Sequence, residues 1–296
     1  MVRDRRDFVD FKTKKTERFD IQRKVVAHMT TKSWQQIPHV TYIYEPDITE
    51  FYREFQNLKR SQKKLTFNTL MLKVIAEGLK QAPKLNAHLE YHPKLVQGNL
   101  HLLPEINVSM PWLLEDGRMI TPVVPHIGEK SLSELSAYMN ELSFKIEKTD
   151  VDHLLYQVGV TYTKDQLKRF KFQELFKVFF TKKPPKTSLY PERLTEKDLL
   201  TGTVTVSNIG SLYKGQRGFL ALLEIIPPQV FAVGMGAIQE RPGIEETKWG
   251  VKKVGVRQVL PMCLAFDHRA VDFNELVPFL KALDQIFANP VCIRDW

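Results

Sequence analysis

The sequence predicts an α+β domain in which helices cover one face of a sheet. Three observations carry that expectation. Pro261 to Phe266 (PMCLAF) is a short apolar run closed by Asp267, His268 and Arg269, the pattern of a buried strand. Just after it, Leu276, Phe279, Leu280, Leu283, Ile286 and Phe287 recur at helical spacing and form one apolar face. Upstream, Thr203–Ser207 and similar runs alternate or stay apolar, while no G-x-G-x-x-G follows a strand, so a dinucleotide-binding fold has no support.

The elements follow in order. Residues 1–18 are highly charged and form an arm. Residues 19–35 read as a helix with Ile21, Val25 and Met29 on one face. Val40–Tyr44 is a strand closed by Pro46-Asp47, and Asp47-Ile48-Thr49-Glu50 opens a helix, because a side-chain oxygen there can accept from free N–H groups. Residues 66–81 make the most hydrophobic helix, with Leu70, Val74, Ile75 and Leu79 inward and Pro83 as its stop. Strand-like runs are expected at Lys94–Val96 and Leu100–Leu103. Ile106–Leu114 and Met119–Val124 form a strand pair around the Asp116-Gly117 turn. Residues 131–147 return to helix. After Thr203–Ser207, strands are expected at Val230–Gly234 and Val251–Gln258, with a hairpin-like turn region at Pro242-Gly243.

Composition excludes several classes. The chain has 296 residues and a net charge of +9. Its lysines are dispersed and it carries no nucleic-acid module, so the charge reads as solubility or as attraction for an anionic ligand. Two cysteines, Cys263 and Cys292, give neither a disulfide framework nor metal-ligand spacing. The first residues, MVRDRRDFVD, lack the apolar stretch of a signal peptide, and no apolar run approaches a membrane span. A reducing, cytoplasmic location is expected.

The chemistry centres on His268, which the Pro261–Phe266 strand delivers to its end, and on Asp272, four residues on, where the helix starts. His268-Arg269-Ala270-Val271-Asp272 resembles the H-R-x-x-D-G motif of the acyltransferase (E2) components of 2-oxo acid dehydrogenase complexes, with Phe273 where the family has glycine. The looser form of this motif belongs to chloramphenicol acetyltransferase, which has the same fold. The resemblance continues in Ile37-Pro38-His39-Val40-Thr41, in Gly117–Val124 (GRMITPVV), in Lys130–Leu135 (KSLSEL), in Gly202–Gly210 (GTVTVSNIG) and in Pro227-Pro228-Gln229 with Val233-Gly234. It covers about residues 20–150 and 200–292. It implies a mixed sheet with covering helices in a single catalytic domain over 19–296, assembled as a homotrimer with active sites between subunits, and in some members a larger cage. An N-terminal arm then packs on a neighbouring subunit. The stretch at about 148–199 departs from the family: it is longer, and Leu167, Phe170, Leu175, Phe176 and Phe179 form an apolar stripe among lysines, read as an element covering the domain or a subunit contact, or as a basic amphipathic helix for a membrane surface or a partner.

The resemblance implies acyl transfer between two thiols, a dihydrolipoyl group and coenzyme A, without a metal or a covalent enzyme intermediate. A thiol with a pKa of ~8.5 is mostly protonated at neutral pH and an imidazole with a pKa of ~6.5 mostly neutral. His268 is therefore expected to take the attacking thiol's proton. Ser207 of the S-N-x-G segment is expected to stabilise the oxyanion from a neighbouring subunit, with Asn208 alongside as a candidate cofactor-binding residue. Asp272 fits both a helix cap and a structural role in holding the histidine loop; Ser207 also fits a plain turn-former. The chain shows no lipoyl domain and no peripheral subunit-binding domain, so a lipoyl group is expected to arrive on another chain, such as a lipoylated protein or another subunit of a dehydrogenase complex. Two further readings stay open. A stand-alone acyltransferase would act on a small hydroxyl or amine acceptor. A non-catalytic scaffold is suggested by Phe273, where glycine would permit positive φ or close backbone approach, and by the apolar stripe from Leu167 to Phe179.

Overall fold

The chain enters the fold through α1 (Ile21–Gln36), capped by Asp20, whose carboxylate accepts from Arg23 N at 2.6 Å. The computed structural model describes residues 14–158, 193–246 and 249–296. Most of the expected charged arm therefore lies outside the described residues, as does most of the 148–199 segment with its stripe from Leu167 to Phe179. Next come β1 (His39–Tyr44) and α2 (Thr49–Ser61). As expected, the Asp47 carboxylate accepts from Thr49 N at 2.9 Å and helps start α2. Helix α3 (Phe67–Gln81) is capped by Thr66 Oγ1, which accepts from Thr69 N at 3.0 Å; Leu70, Val74, Ile75 and Leu79 are all buried.

Two hairpins follow. In the first, β2 (Ala87–His92) pairs with β3 (Gln97–Leu102). Here the sequence reading needs correction: Lys94–Val96 is the turn rather than a strand, and Val96 takes a positive φ of 51°. The second hairpin has the expected partners but is broken on both sides. Strand β4 (Val108–Ser109) pairs with β7 (Val123–Val124), and β5 (Trp112–Leu113) with β6 (Met119–Ile120). Pro111 and Pro122 fall in the gap. They have no N–H to give the ladder, and only Met110 N reaches across, to Pro122 O at 2.9 Å. The turn at Asp116-Gly117 stands as predicted, with Gly117 at φ 82°.

Helix α4 (Leu132–Glu147) opens with a reciprocal cap: Glu134 N donates to Ser131 Oγ and Ser131 N to Glu134 Oε2. Residues 151–158 are helical (α5), and a single turn, α6 (Lys197–Leu200), leads into β8 (Val204–Asn208). Strands β9 (Phe231–Met235), β10 (Gln239–Glu246), β11 (Lys252–Val259) and β12 (Met262–Asp267) precede α7 (Phe273–Ala288). Pro242-Gly243, expected near a turn, instead sits inside β10 opposite Val256 and Gly255. β10 tolerates the proline because it belongs to a two-stranded ribbon and has one free edge.

The main sheet has six strands in the order β1-β12-β9-β8-β4-β7. It is mixed: β12 runs antiparallel to β1 and β9, while β8 is parallel to β9 and to β4. Side chains alternate between its faces. Met262, Leu264 and Phe266 of β12, with Phe231, Val233 and Met235 of β9, point into the large core under α3 and α7. Burial of each such side chain stabilises by roughly 1.5–3 kcal/mol. On the opposite face the residues are small, Ala232 and Ala265, and a minor core with Ile37 and Ile225 covers them. Thr205 and Ser207 share that second face, since they pair with Ala232 and Gly234.

Two glycines allow close approach. A Cβ on Gly78 of α3 would lie 2.6 Å from Leu283 of α7, and one on Gly210 would lie 2.4 Å from the carbonyl oxygen of Gly236. The second contact fixes the turn after β8 against backbone, which cannot yield as a side chain can. Gly210→Ala is therefore expected to lower stability by about 1–3 kcal/mol, read as a lower urea midpoint. An unchanged midpoint would show that this turn has room to spare.

Candidate active site

His268 follows β12 directly and inherits its position from both neighbouring strands. Asp267 N donates to Val230 O at 2.9 Å on the β9 side, and His268 N to Pro38 O at 3.1 Å beside β1. The chain then turns, with Ala270 N and Val271 N both donating to Asp267 O at 3.0 Å. That turn brings Asp272 back towards the ring: His268 Nδ1 and Asp272 Oδ1 are 3.1 Å apart. A carboxylate oxygen only accepts, so Nδ1 is the ring nitrogen that faces Asp272, and Nε2 faces away from it. Both side chains are open to solvent, His268 at 50% and Asp272 at 69% exposure.

Asp272 is also the N-cap of α7, as the Asp-x-x-Glu pattern suggests. Its N–H donates to Glu275 Oε2 at 2.9 Å. Glu275 accepts in turn from Lys84 Nζ at 3.0 Å, and these two donors, the lysine first, hold its carboxyl below the usual range. Phe273 is the first residue of α7 and has no positive φ. The glycine dihedrals are not needed here, and the His268–Asp272 contact forms with phenylalanine in place. The ring lies edge-on to Tyr42, with centroids 5.3 Å apart.

Ser207 sits near the end of β8, half-buried, and its hydroxyl has no hydrogen-bond partner among the described residues. Asn208 is more occupied. Its Oδ1 accepts from Ser211 N at 3.2 Å and its Nδ2 donates to Asn68 Oδ1 at 3.2 Å, which ties the turn after β8 to the start of α3. One chain does not bring Ser207 and His268 together. Ser207 is level with Gly234, and Gly234 with Cys263, so the serine lies two strands across from Cys263. His268 is five residues further along β12. At ~4.8 Å per strand and ~3.3 Å per residue, the two side chains are separated by roughly 15–20 Å. They stand towards opposite ends of the sheet.

Four residues near the site had no role assigned from sequence. Asp267, fully buried, holds Arg269 through Nη2 at 2.6 Å and Nε at 3.0 Å, and the guanidinium lies 5.2 Å over the ring of Tyr91. The D-H-R spacing at a strand end was a usable signal for the first pair; nothing in the sequence pointed to Tyr91. His39 is the fourth. Its Nε2 accepts from Ile225 N at 3.1 Å and its Nδ1 lies 2.9 Å from Ile37 O, a neutral ring in a structural role. Among the described residues no group of three or more His, Cys, Asp or Glu is placed to hold a metal ion, and no helix is long and apolar enough to cross a membrane.

The mixed sheet, with helices over its large core, thus carries an exposed histidine–carboxylate pair at a strand end. The chain belongs to the family of 2-oxoacid dehydrogenases acyltransferase (catalytic domain), which matches residues 11–153 and 187–293. It is 24% identical over 285 residues to the dihydrolipoyllysine-residue acetyltransferase component of the pyruvate dehydrogenase complex of Buchnera aphidicola, covering 94% of this chain and 57% of that protein. It is 24% identical over 273 residues to the lipoamide acyltransferase component of the branched-chain alpha-keto acid dehydrogenase complex of Bacillus subtilis, covering 90% and 50%. The chain thus spans about half the length of such curated relatives. Its fold is that of solved dihydrolipoamide acetyltransferases. The Azotobacter vinelandii structure superposes with a TM-score of 0.68 at 22% identity, over 97% of this chain and 96% of that one. The Listeria monocytogenes structure gives 0.66 at 23%, over 93% and 95%. The Azotobacter protein was investigated for the roles of a serine, a histidine and, four residues after the histidine, an asparagine in its catalytic mechanism.

Removing the Glu275 carboxylate should loosen the start of α7. Because the folded-state pKa of Glu275 is depressed, its contribution is present above the unfolded value of ~4.3 and is lost as pH falls through the lower folded value. Glu275→Ala is expected to cost roughly 0.5–1 kcal/mol at pH 7. The difference from wild type should shrink as pH falls below about 4, as urea midpoints at pH 7 and pH 3 would show.

Proposed function

We propose that this chain transfers an acyl group between a dihydrolipoyl thiol and coenzyme A, at a site shared by two copies of the chain. His268 acts as general base, Asp272 holds its ring, and Ser207 of a neighbouring copy stabilises the oxyanion. The observation that carries this reading is the Nδ1–Asp272 contact, which frees Nε2 on an exposed ring. The spacing of His268 and Asp272 equals that of the histidine and asparagine in the Azotobacter enzyme's mechanism, with aspartate here in the second place.

The steps balance without a further reactant. Nε2 takes the proton of the attacking thiol, and the thiolate adds to the thioester carbonyl. The carbonyl oxygen becomes an oxyanion and accepts a hydrogen bond from the Ser207 hydroxyl, a donor with no competing partner among the described residues. The C–S bond to the leaving group then breaks, and the departing thiolate recovers the proton from Nε2. Coenzyme A and the dihydrolipoyl arm are substrates, and the arm is carried to the site by a lipoylated protein.

The two half-sites at opposite ends of one sheet favour a head-to-tail contact between copies, which closes into a ring when the rotation allows; a homotrimer, with larger assemblies built from it, fits this geometry. The segment between β8 and β9 exposes Leu212, Tyr213, Phe219 and Leu222 near the Ser207 end, an apolar surface that a neighbouring copy would cover. Phe273 takes ordinary helical backbone and leaves the histidine turn intact, which supports the catalytic reading.

His268→Ala is expected to lower kcat by roughly 10²–10⁴-fold and Ser207→Ala by about 10²–10³-fold, in transfer from acyl-CoA to dihydrolipoamide. Co-assembly of equal amounts of the two variants should restore about a quarter of the wild-type sites, because each intact site needs His268 from one copy and Ser207 from the next. No recovery in mixed assemblies would rule out the shared site, and a fully active His268→Ala enzyme would rule out the base.

A further inference from the structure

The contact between His268 and Asp272 is exposed on both sides, and an exposed pair of this kind is worth at most about 1 kcal/mol. That contact orients the ring, but placing it to within the ~1 Å that proton transfer demands also needs a rigid backbone beneath it. The residues on either side of His268 are locked to each other. Asp267 has no exposed surface, and such a carboxylate is tolerated only when its oxygens are paired. Its partners come from Arg269: the backbone N–H at 3.0 Å, Nε at 3.0 Å and Nη2 at 2.6 Å. The chain cannot rotate at His268 without breaking this fork.

The guanidinium has its own support. It lies over the ring of Tyr91, 5.2 Å from the centroid, on a side chain that is only 20% exposed. Tyr91 belongs to β2, outside the six-stranded sheet. The β2–β3 hairpin is fastened elsewhere: Leu89 N donates to Pro228 O at 2.8 Å, His88 bridges to Gln229, and His88 Nε2 lies 3.3 Å from Gly202 O. Gln229 in turn is bonded to Thr205 of β8 at 2.6 Å.

We propose that Tyr91 is a positioning residue: its ring face fixes Arg269, Arg269 fixes Asp267, and the closed pair sets the peptide from which the His268 imidazole projects. The inference rests on the reading of His268 as general base. It gives the β2–β3 hairpin a role in the reaction through Arg269.

The test compares Tyr91→Leu, which removes the ring, with Tyr91→Phe, which keeps it. Tyr91→Leu is expected to lower kcat for dihydrolipoamide and acyl-CoA roughly three- to tenfold, with KM changed by less than about twofold. Amide hydrogen exchange over residues 264–272 should accelerate by a similar factor. Tyr91→Phe should match wild type in both. A rise in KM in place of the fall in kcat, an equal loss in Tyr91→Phe, or unchanged exchange in Tyr91→Leu would overturn the proposal. Exchange does not depend on turnover, so it separates the two ideas. A wild-type protein that transfers no acyl group, together with faster exchange in Tyr91→Leu, would retire His268 as base and leave the brace standing.

Discussion

Everything at the site depends on β12 being held from both sides. It lies between β1 and β9, with paired residues along the strand to each. The ladder does not stop at the strand end, because Val230 and Pro38 continue to accept from Asp267 and His268. An imidazole placed one residue past a doubly paired strand has little backbone freedom. The buried Asp267–Arg269 fork removes most of what remains, and its cost in desolvation is offset by the number and geometry of its bonds. Stability and function meet in this short piece of backbone: the same ladder that buries Leu264 and Phe266 aims the histidine outward.

A second constraint follows from sheet geometry. Ser207 and His268 occupy strands separated by β9, and the register sets them towards opposite ends. No side-chain rearrangement spans such a gap, and moving either strand would break the ladder. A reaction that needs both groups therefore needs two chains. Small residues on the second sheet face, Gly234 and Ala232 among them, let the segment after β8 pack close, and Leu220 lies against Gly234. Gly210 presses this segment on Gly236, so the serine end is as firmly built as the histidine end.

Much of this was legible in the sequence where one periodicity or one local rule decides structure. The apolar run before His268, the helical stripe of α7, the inward residues of α3 and the Asp47 start of α2 all follow from burial or from free N–H groups. Legibility failed where a proline or turn had more than one solution. Pro111 and Pro122 interrupt a hairpin whose pairing is otherwise continuous, and Pro242 is accommodated inside a ribbon. Lys94–Val96 carries β-prone residues yet forms a tight turn, because the register of Ala87–His92 on Gln97–Leu102 leaves it no partner. At the site, His268 and Asp272 could be paired from their spacing alone. Tyr91 could not: its contact with Arg269 joins segments far apart in sequence and is set by where the hairpin is anchored.

Phe273 shows why a family glycine need not be kept. Glycine is required where φ is positive or where a Cβ would collide. Here the residue after Asp272 is already the first of α7, with helical backbone, and its side chain points to solvent at 47% exposure and rests against Tyr42. What the motif has to preserve is the return of the residue four after the histidine to Nδ1. That return is enforced by the turn hydrogen bonds to Asp267 O and by Glu275 on the Asp272 amide, not by the residue that follows. The substitution therefore changes the surface beside the histidine, adding an aromatic wall with Tyr42, and leaves the geometry of the His268–Asp272 pair to the strand and helix on either side.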